Sequence, residues 1–227
     1  MSRLRDDHKA LSIGRTIFLK TVKQPEEVKR ILQPASTNTK LGAGKTIIER
    51  GRWRGMKLYQ LVLEERRTCP KSCQQWANCY GNNMYLANRI DHRSSRFLTH
   101  LAKELSSLAS RHPEGFVVRL HVLGDFYSKT YVRFWKKMLK KHPELRLFGY
   151  THRWPGQGDG IGEEIETLNK MGAWIRFSDR GGEMSANVAP SDGPDDIQCP
   201  QEVGKTKSCL TCGLCWQTPK PIKFLEH

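Results

Sequence analysis

An α/β fold is what the sequence predicts: a (β/α) barrel of TIM type, partial or complete, with a C-terminal segment tied down by a cysteine-ligated cluster. Three observations carry that prediction. Apolar, strand-like runs recur from residue 57 onward, helical patterns separate them, and the seven cysteines fall into two groups instead of scattering along the chain. Strands that alternate with helices build parallel sheets. A chain of 227 residues with 37% apolar side chains is long enough for one substantial core. Residues 1–224 are therefore read as a single domain, with an arm over 1–56, β/α units over 57–190 and a cysteine segment over 191–224. The terminal Leu225, Glu226 and His227 have the look of a vector-encoded tag remnant and are set aside from the functional reading.

Taken in order, the arm offers PEEVKRIL as a short helix and PASTNTKLGAGK as a loop. Its GAGKT is not a phosphate-binding loop: that motif needs a glycine where Thr39 stands and a helix afterwards, and the following TIIERGRW is strand-like. KLYQLVLE is the first strand of the sheet, and a three-cysteine loop follows it. Residues 82–111 read as one or two helices. FVVRLHVLGDFY is a strand with a polar end, and 129–142 is a basic amphipathic helix that turns Val132, Trp135, Met138 and Leu139 inward. LRLFGYTHRW is the third strand, IGEEIETLNKMG a helix closed by Gly172, and AWIRFSDRGG the fourth strand. NVAPSDGPDD is a loop leading into the second cysteine group.

No run approaches the roughly 18 apolar residues of a membrane span, and MSRLRDDHKA lacks the apolar stretch of a secretory signal. A cytoplasmic protein without a membrane partner is the expectation. The formal charge of +15 is lopsided: residues 1–150 hold 30 Lys and Arg against 12 Asp and Glu, whereas 151–227 hold 8 against 11. A basic excess of this kind points to a polyanion, because neutralising phosphates releases condensed counterions. Nucleic acid, RNA rather than DNA, is the expected partner, met by Arg133, Lys136, Lys137, Lys140 and Lys141 of the basic helix.

Thiols in the cytosol are kept reduced, and an odd count of seven does not make a disulfide framework. Metal ligation is the stronger reading. Cys209, Cys212 and Cys215 follow one another at two-residue gaps, with Cys199 ten residues before Cys209. Such spacing wraps around one [4Fe–4S] cubane, and a tetrahedral zinc on the same four thiolates is the alternative. Cys69, Cys73 and Cys79 supply only three thiols, which would leave one iron open. One cluster, or two, is expected.

The placement of that loop after the first sheet strand resembles the radical S-adenosylmethionine enzymes. The resemblance implies S-adenosylmethionine as a cofactor, although that family has two residues in the second gap where this chain has five, QQWAN. A resemblance covering more of the chain lies in the order CPKSCQQWANCYGNN, RLHVLGDFYSKTYVRFW, FGYTHRW, SDRGGEMS and CPQEVGKTKSCLTCGLCW. It is similar to the phage and plasmid-borne "gene product 88" family, which implies shared cysteines and a barrel-like fold.

In a parallel sheet, chemistry gathers at the carboxyl ends of the strands. One rim would then collect His121 and Asp125, Tyr150, His152 and Arg153, and Asp179 and Arg180 beside Ser178 and Glu183. Base, acid and phosphate-binding groups suffice in principle to cleave RNA. The sequence thus predicts an iron–sulphur protein that binds nucleic acid and cleaves or modifies it, as a ribonuclease-like enzyme. The alternatives are a radical S-adenosylmethionine-type enzyme and a non-enzymatic, zinc- or cluster-stabilised nucleic-acid-binding protein.

Overall fold

The computed structural model describes residues 3–188 and 196–225. Most of the predicted NVAPSDGPDD loop, with Glu226 and His227, lies outside those residues. In chain order the elements are α1 (Lys9–Ile13), β1 (Val22–Lys23), β2 (Gln33–Pro34), β3 (Lys57–Val62), β4 (Arg89–Ile90), α2 (Phe97–Arg111), β5 (Phe116–Leu123), α3 (Lys129–Lys141), β6 (Leu145–Thr151), α4 (Ile161–Lys170), β7 (Trp174–Ser178), β8 (Ser185–Val188), β9 (Ile197–Gln198), α5 (Cys209–Cys212) and β10 (Ile222–Phe224).

Eight strands form one sheet in the order β2-β3-β5-β6-β7-β8-β10-β9, and every neighbouring pair is parallel except β2 with β3. The fold is therefore mixed α/β around a large, mostly parallel sheet. Among the described residues the sheet does not close: it ends at β2 on one side and β9 on the other, so the complete barrel of the sequence reading is not formed.

Both faces of the sheet are covered, which is why β3 and β5 read as near-continuous apolar runs. On the first face Tyr59, Leu61, Val118, Leu120, Leu147 and Ile175 pack against helix residues such as Leu101, Leu105, Trp135, Ile165 and Leu168. On the second face Leu58, Val62, Val117 and Phe148 meet Leu41, Ile48 and Trp53 from the arm and Leu210 and Trp216 from the tail. Arm and tail are joined there directly. The amides of Cys209 and Leu210 donate to the carbonyls of Lys40 and Leu41 at 3.0 and 3.2 Å, and Trp53 stacks on Trp216 with ring centres 5.5 Å apart.

Three local expectations differ. PEEVKRIL keeps one 3-10 turn, Pro25–Glu27, and then extends, because the amides of Ile31 and Leu32 donate to the Glu104 carboxylate on α2 instead of to their own carbonyls. TIIERGRW makes a single antiparallel bridge, Ile47 with Lys57, and no strand. The helix expected within 82–111 begins only at Phe97; the segment before it is a 3-10 turn at Tyr80–Asn83 followed by β4.

That segment is held by an ion pair. Arg89, fully buried, grips Glu65 with two nitrogens at 2.6 and 3.0 Å. Its remaining donors meet Thr21 Oγ1 and the carbonyls of Gly81, Met84 and Ala87. Glu65 also accepts from Thr16 Oγ1 at 2.6 Å, and next to it Glu64 accepts from the Thr16 amide and from Arg15. Arg66 donates to the Trp76 carbonyl and to Asn82 Oδ1. Three consecutive charged residues after β3 thus fasten the arm and the three-cysteine loop to the sheet. Breaking a buried pair by removing one partner leaves an uncompensated charge. Glu65→Ala and Arg89→Ala are each expected to lower the unfolding free energy by about 3–5 kcal/mol, with the double variant costing less than the sum, as measured by denaturant titration.

Candidate functional site

Because β3 and β5–β8 run parallel, their carboxyl ends share one edge of the sheet. The three-cysteine loop leaves β3 at this edge, and its thiols lie within electrostatic reach of the groups that end β5 and β7: Cys69 senses Asp125, and Cys73 senses both Asp125 and Asp179. Burial, and then neighbouring negative groups, push the Cys69 thiol up, and burial takes Cys73 up to about 12. Cys79 is raised by burial and by Glu65, and its sulphur accepts the Gly81 amide at 3.4 Å. A bound cation would reverse these shifts, since coordination deprotonates a thiol outright.

The rim itself is organised by Asp125, 4% exposed. Its carboxylate accepts from Thr151 Oγ1 at 2.6 Å, from the His152 amide at 2.8 Å and from its neighbour Phe126's amide at 2.7 Å. The Asp125 amide in turn takes Thr68 Oγ1 at 3.0 Å, just before Cys69. Asp125 thereby ties the ends of β5 and β6 to the cysteine loop, and its oxygens are already occupied. Arg153 is likewise committed, to the Phe126 carbonyl and to Asp159.

His152 and Asp179 come together: Nδ1 of the imidazole lies 3.9 Å from the carboxylate, and the ring packs beside Trp154. Burial pulls the His152 pKa below its ordinary value, against the opposing pull of Asp179. The other carboxylate oxygen of Asp179 accepts the Val188 amide at 2.9 Å. Three predicted rim residues lie elsewhere. His121 turns into the helix-side core, bonded to Tyr131 and edge-on to Phe126. Arg180 leans over Phe177 towards Glu166, on the helix side. Tyr150 points to the second face of the sheet, where its hydroxyl donates to the Cys215 sulphur at 2.8 Å.

The second cysteine group lies on that face. Alternation along the strands brings Gln60, Arg119, Tyr150 and Arg176 into the polar part of an otherwise apolar surface. Arg119 sits over the Tyr150 ring, 5.5 Å from its centre, and its Nε is buried with no hydrogen-bond partner. Arg176, also buried, donates to the carbonyls of Cys215, Ser185, Thr218 and Lys220, so it holds the tail on the sheet. Cys209 senses Cys215 and Cys199, Cys215 senses Cys212, and Cys212 senses Cys199, while the cations around the group are Lys40, Arg119 and Arg176. Burial pushes Cys209 up to about 12. Four thiolates around zinc, or around a [4Fe–4S] core, carry a net charge of about −2. Lys40 is paired with Glu202, so Arg119, with its orphaned donor, and Arg176 are the cations left for such an anion, and in donor type and charge the residues present fit it. Among the described residues no group of three or more His, Cys, Asp or Glu side chains already stands in metal-holding geometry.

On the basic helix, Arg133 and Lys136 both bond Glu164 of α4 at 2.8 Å. Lys137, Lys140 and Lys141 are exposed, with Lys141 near Ser106. Sequence reasoning missed Glu64, Glu65, Arg89, Arg119 and Arg176. The signal available was a single arginine inside each apolar strand, as in VVRLHV and WIRFS.

Burial raises the Asp125 pKa from 3.8 to about 6. A carboxyl raised in the folded state contributes stability that is present below about pH 4 and lost as pH rises through 6. In metal-free protein, stability should therefore fall by about 3 kcal/mol between pH 4 and pH 7 through this group. Asp125→Asn should flatten that slope in denaturant titrations across the range.

The model of the family described as Gene product 88 matches residues 28–157. The match takes in the three-cysteine loop, β5 and β6 and stops short of the second cysteine group. The Gene 88 protein of Mycobacterium phage L5 is 22% identical over 150 residues, covering 56% of this chain and 62% of that relative. The chain thus spans less than two thirds of the relative's length. No solved structure matches the chain. With its model matched over more than half of the sequence, the Gene product 88 family is the one to which this chain belongs.

Proposed function

We propose that this chain is an iron–sulphur protein that binds RNA and acts on it at the carboxyl edge of the sheet. The observation that carries the metal reading is the second cysteine group, four thiols under the influence of Arg119, Arg176 and the Glu202-paired Lys40. Cys199, Cys209, Cys212 and Cys215 would hold one [4Fe–4S] cluster with a structural part, fastening the tail. Cys69, Cys73 and Cys79 would hold a second at the reactive edge. The RNA reading rests on the formal charge of +15 and its concentration in the first 150 residues.

Within the chain's own groups, His152 is the acid–base candidate. Its depressed pKa keeps the imidazole neutral and able to accept a proton. Asp179, 3.9 Å from the ring Nδ1, would stabilise the imidazolium once the proton is taken, and Asp125 is a positioning residue, holding the His152 backbone through its amide. Lys137 and Lys140 would supply phosphate contacts in preference to Arg133 and Lys136, whose charges Glu164 offsets.

A second reading, a radical S-adenosylmethionine-type enzyme, is favoured by one observation: the three-thiol loop leaves β3 at the reactive edge, beside an Asp125 whose oxygens are already spent. In that reading the open iron would supply reductive cleavage of the cofactor. Zinc on the four-thiol group, in a non-enzymatic RNA-binding protein, is the third reading.

Two measurements decide among them. Anaerobically purified protein should carry iron and acid-labile sulphide with visible charge-transfer absorbance, and Cys209→Ala should lose both from the four-thiol group and destabilise the fold. Stoichiometric zinc with no visible band would overturn the iron assignment. RNA turnover should fall by about 100-fold or more in His152→Ala with iron content unchanged. Turnover that persists in that variant, or S-adenosylmethionine cleavage by the reduced protein, would move the assignment to the second reading.

A further inference from the structure

Between the two cysteine groups lies a cleft of about 720 Å³, open to solvent and bounded by four separate stretches of chain. Its floor is Gln60 and Val62 on the second face of β3. One wall is the arm loop from Thr37 to Lys40, another the segment Tyr80 to Asn88 that follows Cys79, and the last is Gln201 and Glu202, just after Cys199. Neither the rim residues nor the basic helix takes part in it.

The chemistry of the lining is distinctive in a chain this basic. Carboxamides are its commonest polar groups: Gln33, Asn38, Gln60, Asn83, Asn88 and Gln201. The charged pair in the lining, Lys40 and Glu202, bond each other, so the cleft has no unbalanced cation for a phosphate. Two of the amides are preset. Asn38 Nδ2 donates to Gln60 Oε1 at 3.1 Å, Gln60 Nε2 donates to Thr37 Oγ1 at 2.9 Å, and Asn38 Oδ1 accepts the Leu41 amide. Each still has one N–H and one lone-pair direction to offer. At the mouth stand large side chains that a soluble surface normally hides, with Tyr80, Tyr85 and Leu86 39%, 64% and 80% exposed.

Neutral groups that donate and accept at fixed positions, below exposed aromatic rings, are what recognition of an unstacked base requires: a π-face to stack on and polar edges to pair with. We infer that this cleft takes a single unpaired nucleobase of single-stranded RNA, stacked on Tyr85 with its edge read by the Gln60, Asn88 and Gln201 amides, while the backbone phosphates stay outside on the basic surface. This rests on the RNA reading above, and it makes that reading specific to single strands. Since the cleft adjoins Cys79 on one wall and Cys199 on the other, the base would lie between the two cysteine groups.

The test uses the full, as-purified protein with three probes: the octamer oligo(U), a 16-base-pair RNA duplex, and free adenosine and uridine. Tyr85→Ala should weaken octamer binding by 5- to 150-fold, the range set by one lost base–aromatic stack, with the salt slope and the duplex affinity unchanged. Tyr85→Trp should restore it. Gln60→Ala and Gln201→Ala should alter the preference between adenosine and uridine. Lys137→Ala with Lys140→Ala should instead lower octamer and duplex affinity together and reduce the salt slope by about one per lost phosphate contact. Octamer binding unmoved by Tyr85→Ala, together with no nucleoside binding, would overturn the cleft assignment while leaving the RNA reading in place. Nucleosides held in a Tyr85-dependent manner by protein that binds neither octamer nor duplex would overturn the RNA reading and keep the cleft as a free-nucleoside site. Binding of an oligosaccharide such as maltotriose, with no nucleoside binding, would overturn the inference in favour of sugar recognition.

Discussion

The Glu65–Arg89 pair is the constraint on which most of the remaining geometry hangs. Glu65 is 1% exposed and Arg89 0%, so each charge has been taken entirely out of water. That step costs several kcal/mol per ion and is offset only by excellent geometry with every donor satisfied. Here the guanidinium meets both carboxylate oxygens and four further acceptors. Each acceptor lies on a piece of chain that would otherwise have no regular structure. The arm reaches it through Thr16 and Thr21, and the stretch after Cys79 through the carbonyls of Gly81, Met84 and Ala87. Gly81 has to be a glycine, because a Cβ there would stand 2.7 Å from the Glu65 carboxyl carbon. One ion pair thus decides where the three-cysteine loop sits, and with it what faces the ends of β5 and β7.

The two faces of the sheet solve different problems. The helix-covered face is a conventional apolar core, with aromatic clusters around Tyr131 and Trp135. Among the described residues the other face carries only the single turn α5, and otherwise irregular chain from the arm and the tail covers it. Irregular chain brings unpaired carbonyls, and Arg176 answers three of them, on Cys215, Thr218 and Lys220, together with that of Ser185 at the start of β8. The same face gathers positive charge beneath four thiols. The hold on the tail and part of the charge acting on Cys215 therefore come from the same arginine, and a change there would be felt in both.

How much of this could be read from the sequence follows from the range of the forces involved. Alternation of strand and helix is local, and KLYQLVLE, FVVRLHVLGDFY, LRLFGYTHRW and AWIRFSDRGG each contain a strand of the parallel sheet, with Lys129–Lys141 and Ile161–Lys170 helical inside the predicted 129–142 and 161–172. Short strands did not announce themselves: β1, β2, β4 and β9 have two residues each, too few for periodicity to register. PEEVKRIL has good helical pattern but loses its amide donors to Glu104, some 70 residues away, which no local rule contains. At the site, strand-end logic brought out Asp125, His152 and Asp179. It failed for Tyr150, one residue short of the end of β6, whose pleat directs it to the opposite face. His121 failed for a similar reason, lying within β5 among core rings. The buried ion pairs were invisible because a charged run such as EERR reads as solvated surface unless its partner is known.

The joining of arm to tail on the second face bears on how the protein comes into being. Leu41, Ile48 and Trp53 precede Leu210 and Trp216 by about 160 residues in the chain, yet both groups complete one surface. During synthesis at about 5–20 residues per second, the earlier segment must wait for that intervening chain before its rings and carbonyls find their partners. Throughout that interval one side of the nascent sheet lies bare, with Arg119 and Arg176 open to water and to any passing anion. Assembly of this face therefore follows that of the helix-covered one, and the segment that carries Leu210 and Trp216 is the keystone that shuts it.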